Sequence, residues 1–170
     1  EVTWHMIGHV QSRKSDRVAA AVSLIHSVDS VRLAERLERF AASAGRPVRI
    51  LLQVNVSGEE TKSGFAAATP EEEAAFIQTA CGLGSLEHLQ IEGLMTIAPI
   101  VRDPEQARPV FRRTRLLRDV LRQECPYSGW GTLSMGMSDD FEIAVQEGAT
   151  MVRIGRALFE GVGTEEGATG

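Results

Sequence analysis

The chain has 170 residues, 43% of them apolar and 24% charged, which fits one globular domain with a core of its own. A net charge of −5 without any Lys/Arg block argues against a nucleic-acid surface. No apolar run approaches the roughly 18 residues of a membrane span, and Glu1-Val2-Thr3-Trp4 lacks the basic and apolar regions of a signal peptide.

Cys81 and Cys125 stand apart with no metal-type spacing. They read as buried thiols of a reduced, cytoplasmic protein, with a disulfide as the other possibility. The first residue is not Met and an apolar, aromatic segment follows at once, so further chain is expected upstream.

Short β-rich runs alternate with amphipathic stretches. Strands are predicted over Thr3–Ile7, Leu24–Val28, Val48–Val56, Gln90–Ile97, Thr132–Met135 and Met151–Ile154. Ser30 caps a helix that presents Leu33, Leu37, Phe40 and Ala44 on one face and stops at Gly45 and Pro47. Thr69-Pro70-Glu71-Glu72 opens the next: a cap, a Pro at the first position, then acids at the positive end of the dipole. Asp103-Pro104-Glu105 opens a helix whose Val110, Thr114, Leu117 and Leu121 share a face, and Ser138-Asp139-Asp140 opens another that ends at Gly148. Strand–helix alternation of this kind implies a parallel sheet with crossover helices. Runs such as Ile50-Leu51-Leu52, apolar on both faces, fit a sheet covered on both sides. Periodicity leaves open whether that sheet is part of a barrel or a doubly wound layer.

Ligands of parallel α/β folds sit at the carboxyl ends of strands. Leu133-Ser134-Met135-Gly136-Met137-Ser138 and Arg153-Ile154-Gly155-Arg156 are two such ends, and both could meet a phosphate. The bland alternative is that Ser134 and Ser138 only cap a helix and Gly155 only turns the chain. Arg153 interrupts an apolar run and points either into the strand-end cavity or outward to a carboxylate. Asp139 and Asp140 would repel an anion and are expected to face solvent. On a strand, His5 and His9 would share a face; a metal there lacks a third ligand. Gln53 and Asn55, two apart, either line a polar interior or form a satisfied core pair. The polar loop Ser57–Gly64 could cover a ligand.

Several segments resemble the pyridoxal 5′-phosphate (PLP) homeostasis protein family (YggS-like). They are Trp4-His5-Met6-Ile7-Gly8-His9-Val10-Gln11-Ser12-Arg13-Lys14, His26-Ser27-Val28-Asp29, Leu52-Gln53-Val54-Asn55-Val56 with Lys62-Ser63-Gly64-Phe65, Gly93-Leu94-Met95-Thr96-Ile97, Leu133–Asp140 and Met151–Phe159. The likeness covers the chain up to its tail. It implies a (β/α)8 TIM-type barrel of the alanine racemase N-terminal type. The six strands would be strands three to eight, the first two being absent. Residues 1–162 would form the PLP-binding barrel and 163–170 a disordered tail.

The resemblance also implies the cofactor. Family members hold PLP as a Schiff base on a lysine at the end of the first strand, expected upstream of Glu1. Lys14 and Lys62, the only lysines, match other positions. Arg153 matches the arginine that faces the pyridine nitrogen. Gly155 and Arg156 match phosphate-holding positions, helped by the loop around Ser134 and Ser138. The implied cofactor-binding set is thus Arg153, Gly155, Arg156, Ser134, Met135, Ser138, Asn55 and His9, with no catalytic or metal-binding residue. Two departures stand out: Arg156 replaces the family's usual Thr, and Phe159-Glu160-Gly161 carries one residue more before the usual Gly. The implied function is a non-catalytic PLP carrier that affects amino-acid and keto-acid balance. The alternatives are a PLP-dependent racemase- or decarboxylase-like enzyme and a phosphate-binding barrel without PLP. The complete fold is expected to be a monomer in the cytoplasm, and a chain lacking two strands could associate through exposed sheet edges.

Overall fold

Val48–Asn55 carries buried apolar side chains on both faces, as a strand does when helices cover one side and a barrel interior the other. In the computed structural model, which describes residues 1–59, 61–126 and 128–159, this segment is β3. Around it lie β1 (His5–Met6), β2 (Leu24–Val28), β4 (Phe65–Ala66), β5 (Leu89–Met95) and β6 (Thr132–Ser134). All pairings are parallel. The order β1-β2-β3-β5-β6 follows the chain, and β4 pairs with the last two residues of β3. A doubly wound sheet reverses direction part-way; this one does not, so the winding is that of a curled, partial β/α barrel.

The helices are α1 (Ser15–Ala21), α2 (Val31–Ala44), α3 (Pro70–Leu83), α4 (Arg108–Glu124), α5 (Phe141–Gln146) and α6 (Arg156–Phe159). Ser30 caps α2 by accepting from the Leu33 N–H at 3.4 Å, and Gly45 closes it in the left-handed conformation, φ 62°. Thr69 and Glu72 form a reciprocal capping box at the start of α3. Asp103 heads a short 3-10 turn, Pro104–Ala107, that leads into α4. Helix α1 was not marked by the sequence: Lys14 stands at its N-cap without a side-chain bond.

Strand alternation sorts the apolar residues into two cores. Ile25, Ile50, Leu52, Leu94 and Leu133 pack outward against the helices, with Leu33, Leu37, Phe76, Phe111 and Leu117. Leu24, Leu51, Met95 and Met151 form a separate inner cluster. That inner cluster is the floor of the barrel interior, and residues two positions further along the same strands lie above it.

Three expectations need correcting. The strand predicted at Met151–Ile154 is reduced to a single bridge between Met151 and Ser134. The segment still runs along β6, with Met135 N donating to Met151 O at 3.1 Å and Arg153 N to Gly136 O at 2.9 Å. The ladder stops because Gly136, at φ 94°, turns the chain away after β6. Asp140 does not face solvent: it is 7% exposed, and its Oδ1 accepts from Met137 N. Cys81 and Cys125 are not free thiols but a disulfide. The last turn of α3 and the end of α4 lie side by side, with the two Cα atoms 5.0 Å apart. A cytoplasmic location inferred from reduced thiols loses that support. The expected tail, 163–170, lies outside the described residues, as do Glu160 and Gly161. Among the described residues no helix is long and apolar enough to cross a membrane.

Two measurements check this packing. The disulfide closes a loop spanning 44 positions, so reduction should lower stability by about 2–4 kcal/mol, seen as a drop in Tm with added dithiothreitol. A Cβ at Gly93, φ 154°, would stand 1.9 Å from the Thr132 carbonyl oxygen across the β5–β6 pair. Gly93→Ala should therefore cost about 3 kcal/mol or more in denaturant unfolding.

Candidate functional site

Above the apolar floor the interior turns polar. His26 lies two residues beyond Leu24, Gln53 two beyond Leu51, and Arg153 two beyond Met151, so period-two alternation aims all three inward. Arg153 spans two strand ends. Its Nη1 donates to the Ser134 carbonyl at 2.8 Å and to Ser134 Oγ at 3.0 Å, and its Nη2 donates to the Thr96 carbonyl at 2.9 Å. Burial lowers its pKa, while the Asp140 carboxylate acts in the opposite direction. Arginine starts so far above neutrality that it stays charged.

Ser134 is fully buried, and its Oγ also lies 2.8 Å from Nδ1 of His26. Nε2 of His26 is 3.1 Å from Nδ1 of His5. Burial first, then the neighbouring His5 and Arg153, push the His26 pKa from 6.5 down to about 4. A buried imidazole beside a guanidinium is therefore neutral at pH 7.

Toward the mouth lies a cleft of ≈ 340 Å³ lined by Gly8, His9, Gln53, Asn55, Lys62 and Ile97, among others. His9 contacts Asp29 through Nδ1 at 3.1 Å. It does not share a face with His5, because β1 ends at Met6 and His9 lies in the turn that follows. The two amides organise the 57–64 loop: Gln53 Nε2 donates to the Ser63 carbonyl at 3.0 Å, and Asn55 Nδ2 donates to the Glu59 carbonyl at 2.9 Å. Asn55 Oδ1 accepts from the N–H groups of Ser57 and Gly58, both at 3.2 Å. Lys62 pairs with Glu59 at 2.7 Å and donates to the Ile97 carbonyl at 3.2 Å.

The two expected phosphate loops also meet. Ser138 Oγ accepts from Ala157 N at 3.1 Å, and Arg156 pairs with Asp139. A Cβ at Gly155 would meet no atom within 4 Å, leaving open room above that backbone. Ser134 and Met135, by contrast, face protein. Ser134 serves Arg153 and His26, while Met135 is buried in the outer core with its N–H bonded to Met151. Of the expected set, Arg153, Gly155, Arg156 and Ser138 thus gather at one end of the interior, and Asn55 and His9 line the neighbouring cleft. His26, and its contact with His5, were not anticipated as neighbours of Arg153. The signal was in β2, where a histidine sits on the same strand face as Leu24.

The family model described as "Alanine racemase, N-terminal domain" matches residues 1–162. The chain belongs to this family. Curated relatives are named pyridoxal phosphate homeostasis protein. The one from Aquifex aeolicus is 42% identical over 94% of this chain and 67% of its own length. The one from Pseudomonas aeruginosa is 42% identical over 93% of this chain and 64% of its own. The chain thus spans about two thirds of the length of these relatives. Among solved structures, PipY of Synechococcus elongatus with PLP bound superposes with TM-score 0.83 at 37% identity, covering 93% of this chain and 70% of PipY. An alanine racemase from Clostridium difficile superposes at 0.73 with 16% identity, which shows the shared barrel alone. The barrel expected from the resemblance is therefore the fold of this alanine racemase N-terminal domain.

The lowered His26 pKa makes the stability of the domain depend on pH. The folded state binds fewer protons than the unfolded state between the two pKa values. The contribution is present above about 6.5 and is lost as pH falls toward about 4. Over that window the loss should be on the order of 3 kcal/mol. Urea unfolding at pH 7, 5.5 and 4.5 measures it, with His26→Asn flattening the His26 part of the slope.

Proposed function

We propose that this chain binds PLP as the ring-nitrogen and phosphate half of a PLP homeostasis protein, and that it performs no catalysis of its own. The observation that carries this reading is Arg153, a half-buried guanidinium fixed by Ser134 and Thr96 beside the strand ends. It would meet the pyridine nitrogen. Bound PLP would supply a reactive aldehyde and an electron-withdrawing ring. Arg153 can donate a hydrogen bond to that nitrogen but does not hand over its proton, because its conjugate base is inaccessible near neutral pH. A ring nitrogen left unprotonated is a weak electron sink, which suits holding the cofactor better than racemising an amino acid. The PLP in the PipY structure and the name shared by the curated relatives support the same cofactor.

Ser138, Gly155 and Arg156 would hold the phosphate. Gly155 lets the backbone come close, and Arg156 supplies charge once it shifts from Asp139. Asn55 and His9 would border the aldehyde side through the cleft they line. Neither Lys14 nor Lys62 matches the lysine that the family uses for covalent attachment. We therefore read residues 1–162 as strands three to eight of the barrel, with the covalent half of the site supplied by preceding strands.

Titration of the chain with PLP, followed by absorbance and intrinsic fluorescence, should show saturable and reversible binding. Arg153→Met should weaken it about tenfold or more. Borohydride reduction and peptide mapping should leave Lys14 and Lys62 unmodified, and D/L-alanine should not interconvert. Absence of saturable binding would sink the PLP reading, and turnover of alanine would sink the carrier reading.

A further inference from the structure

We propose that His26 is a positioning residue for Arg153, through a hydrogen-bond chain with one fixed direction: Arg153 to Ser134, Ser134 to His26, His26 to His5. The proposal deepens the PLP reading above and rests on it for the identity of the ligand. The chain itself is a property of the protein alone.

The direction follows from donor arithmetic. Arg153 can only donate, so Ser134 Oγ must accept from Nη1 at 3.0 Å. Ser134 has one hydroxyl proton. Its other partner among the described residues is Nδ1 of His26 at 2.8 Å. If Nδ1 carried a proton, Ser134 would receive two donors and its own buried proton would have no acceptor, a costly arrangement for a fully buried hydroxyl. Nδ1 is therefore bare and accepts from Ser134. The proton of neutral His26 must then sit on Nε2, which faces Nδ1 of His5 at 3.1 Å. His5 must accept there, so its proton sits on Nε2. One cation at the end of the chain thus sets the tautomers of two histidines on β1 and β2.

The consequence runs back to the ligand site. Ser134 can accept from Arg153 without stranding its own buried proton only while His26 takes that proton. A second proton on either imidazole sets two donors face to face and breaks the chain. Of the titratable and charged groups nearby, His5 on β1 and Arg153 beyond β6 both disfavour charge on His26, while Asp140, at the head of α5, acts on Arg153. Arg153 keeps its carbonyl bonds in either case, so its guanidinium would remain in place with the third of its fixed points, Ser134 Oγ, weakened.

Long-range ¹H–¹⁵N spectra of the unliganded full chain at pH 7 test the chain without reference to PLP. We expect His26 and His5 both to carry the proton on Nε2, and Ser134→Ala to release the His26 tautomer to a mixture. A His26 protonated on Nδ1, or charged at pH 7, overturns the proposal. PLP titration tests the positioning role. Asn places its side-chain oxygen where Nδ1 stood, so His26→Asn should keep PLP affinity within about threefold, whereas His26→Leu should lose about tenfold. Equal affinity of the Leu and Asn variants, with the wild-type tautomers as expected, refutes positioning while leaving the PLP reading intact. Failure of the unaltered chain to bind PLP refutes that reading and leaves the tautomer result standing.

Discussion

A guanidinium held inside a barrel needs acceptors, and the ends of two parallel strands are where this fold can offer them. Arg153 draws on the carbonyls of Thr96, just past β5, and Ser134, at the end of β6. The chain at 151–154 makes one bridge and a few backbone bonds to the end of β6, and side-chain bonds from Arg153 add a tie across to the end of β5. The same bonds fix the guanidinium between the ends of β5 and β6. A lysine could not replace it, because a point charge cannot span two carbonyls and a hydroxyl in one plane. Site and scaffold are in this respect one structure.

The interior is layered. Leu24, Leu51, Met95 and Met151 make an apolar floor, and the next layer up is His26, Gln53 and Arg153. Burying His26 and Gln53 is tolerable because each is hydrogen-bonded, His26 to Ser134 and Gln53 to the Ser63 carbonyl, while the half-buried Arg153 takes Ser134 and Thr96 as acceptors. The loop over the cleft is tied down by Asn55 and Gln53, whose amides take its backbone groups.

Much of the architecture was legible along the chain. Strand β2 coincides with its predicted span, and α2 and α3 begin at Ser30 and Thr69 as the capping pattern demands. These are local signals, carried by side chains that bond to backbone within one turn. Motifs at the strand ends likewise pointed to Arg153, Gly155, Arg156 and Ser138 as neighbours, since parallel winding brings the carboxyl ends of successive strands together. Other features were beyond local reading. The Cys81–Cys125 bond depends on how α3 packs on α4, and the burial of Asp140 goes with a turn in which its backbone N–H and carboxylate both bond Met137. His5 and His9 parted because β1 ends between them.

The amino-acid sequence by itself determined the alternation of strands and helices, the helix boundaries and the residue types at the strand ends, because these follow from periodicity and from bonds made within a few residues. Only the tertiary structure decided that the sheet curls in chain order, that Ser134 meets both Arg153 and His26, and that His26 meets His5. Each of those contacts joins strands far apart in the chain, and a one-dimensional pattern carries no record of which strand end will stand beside which.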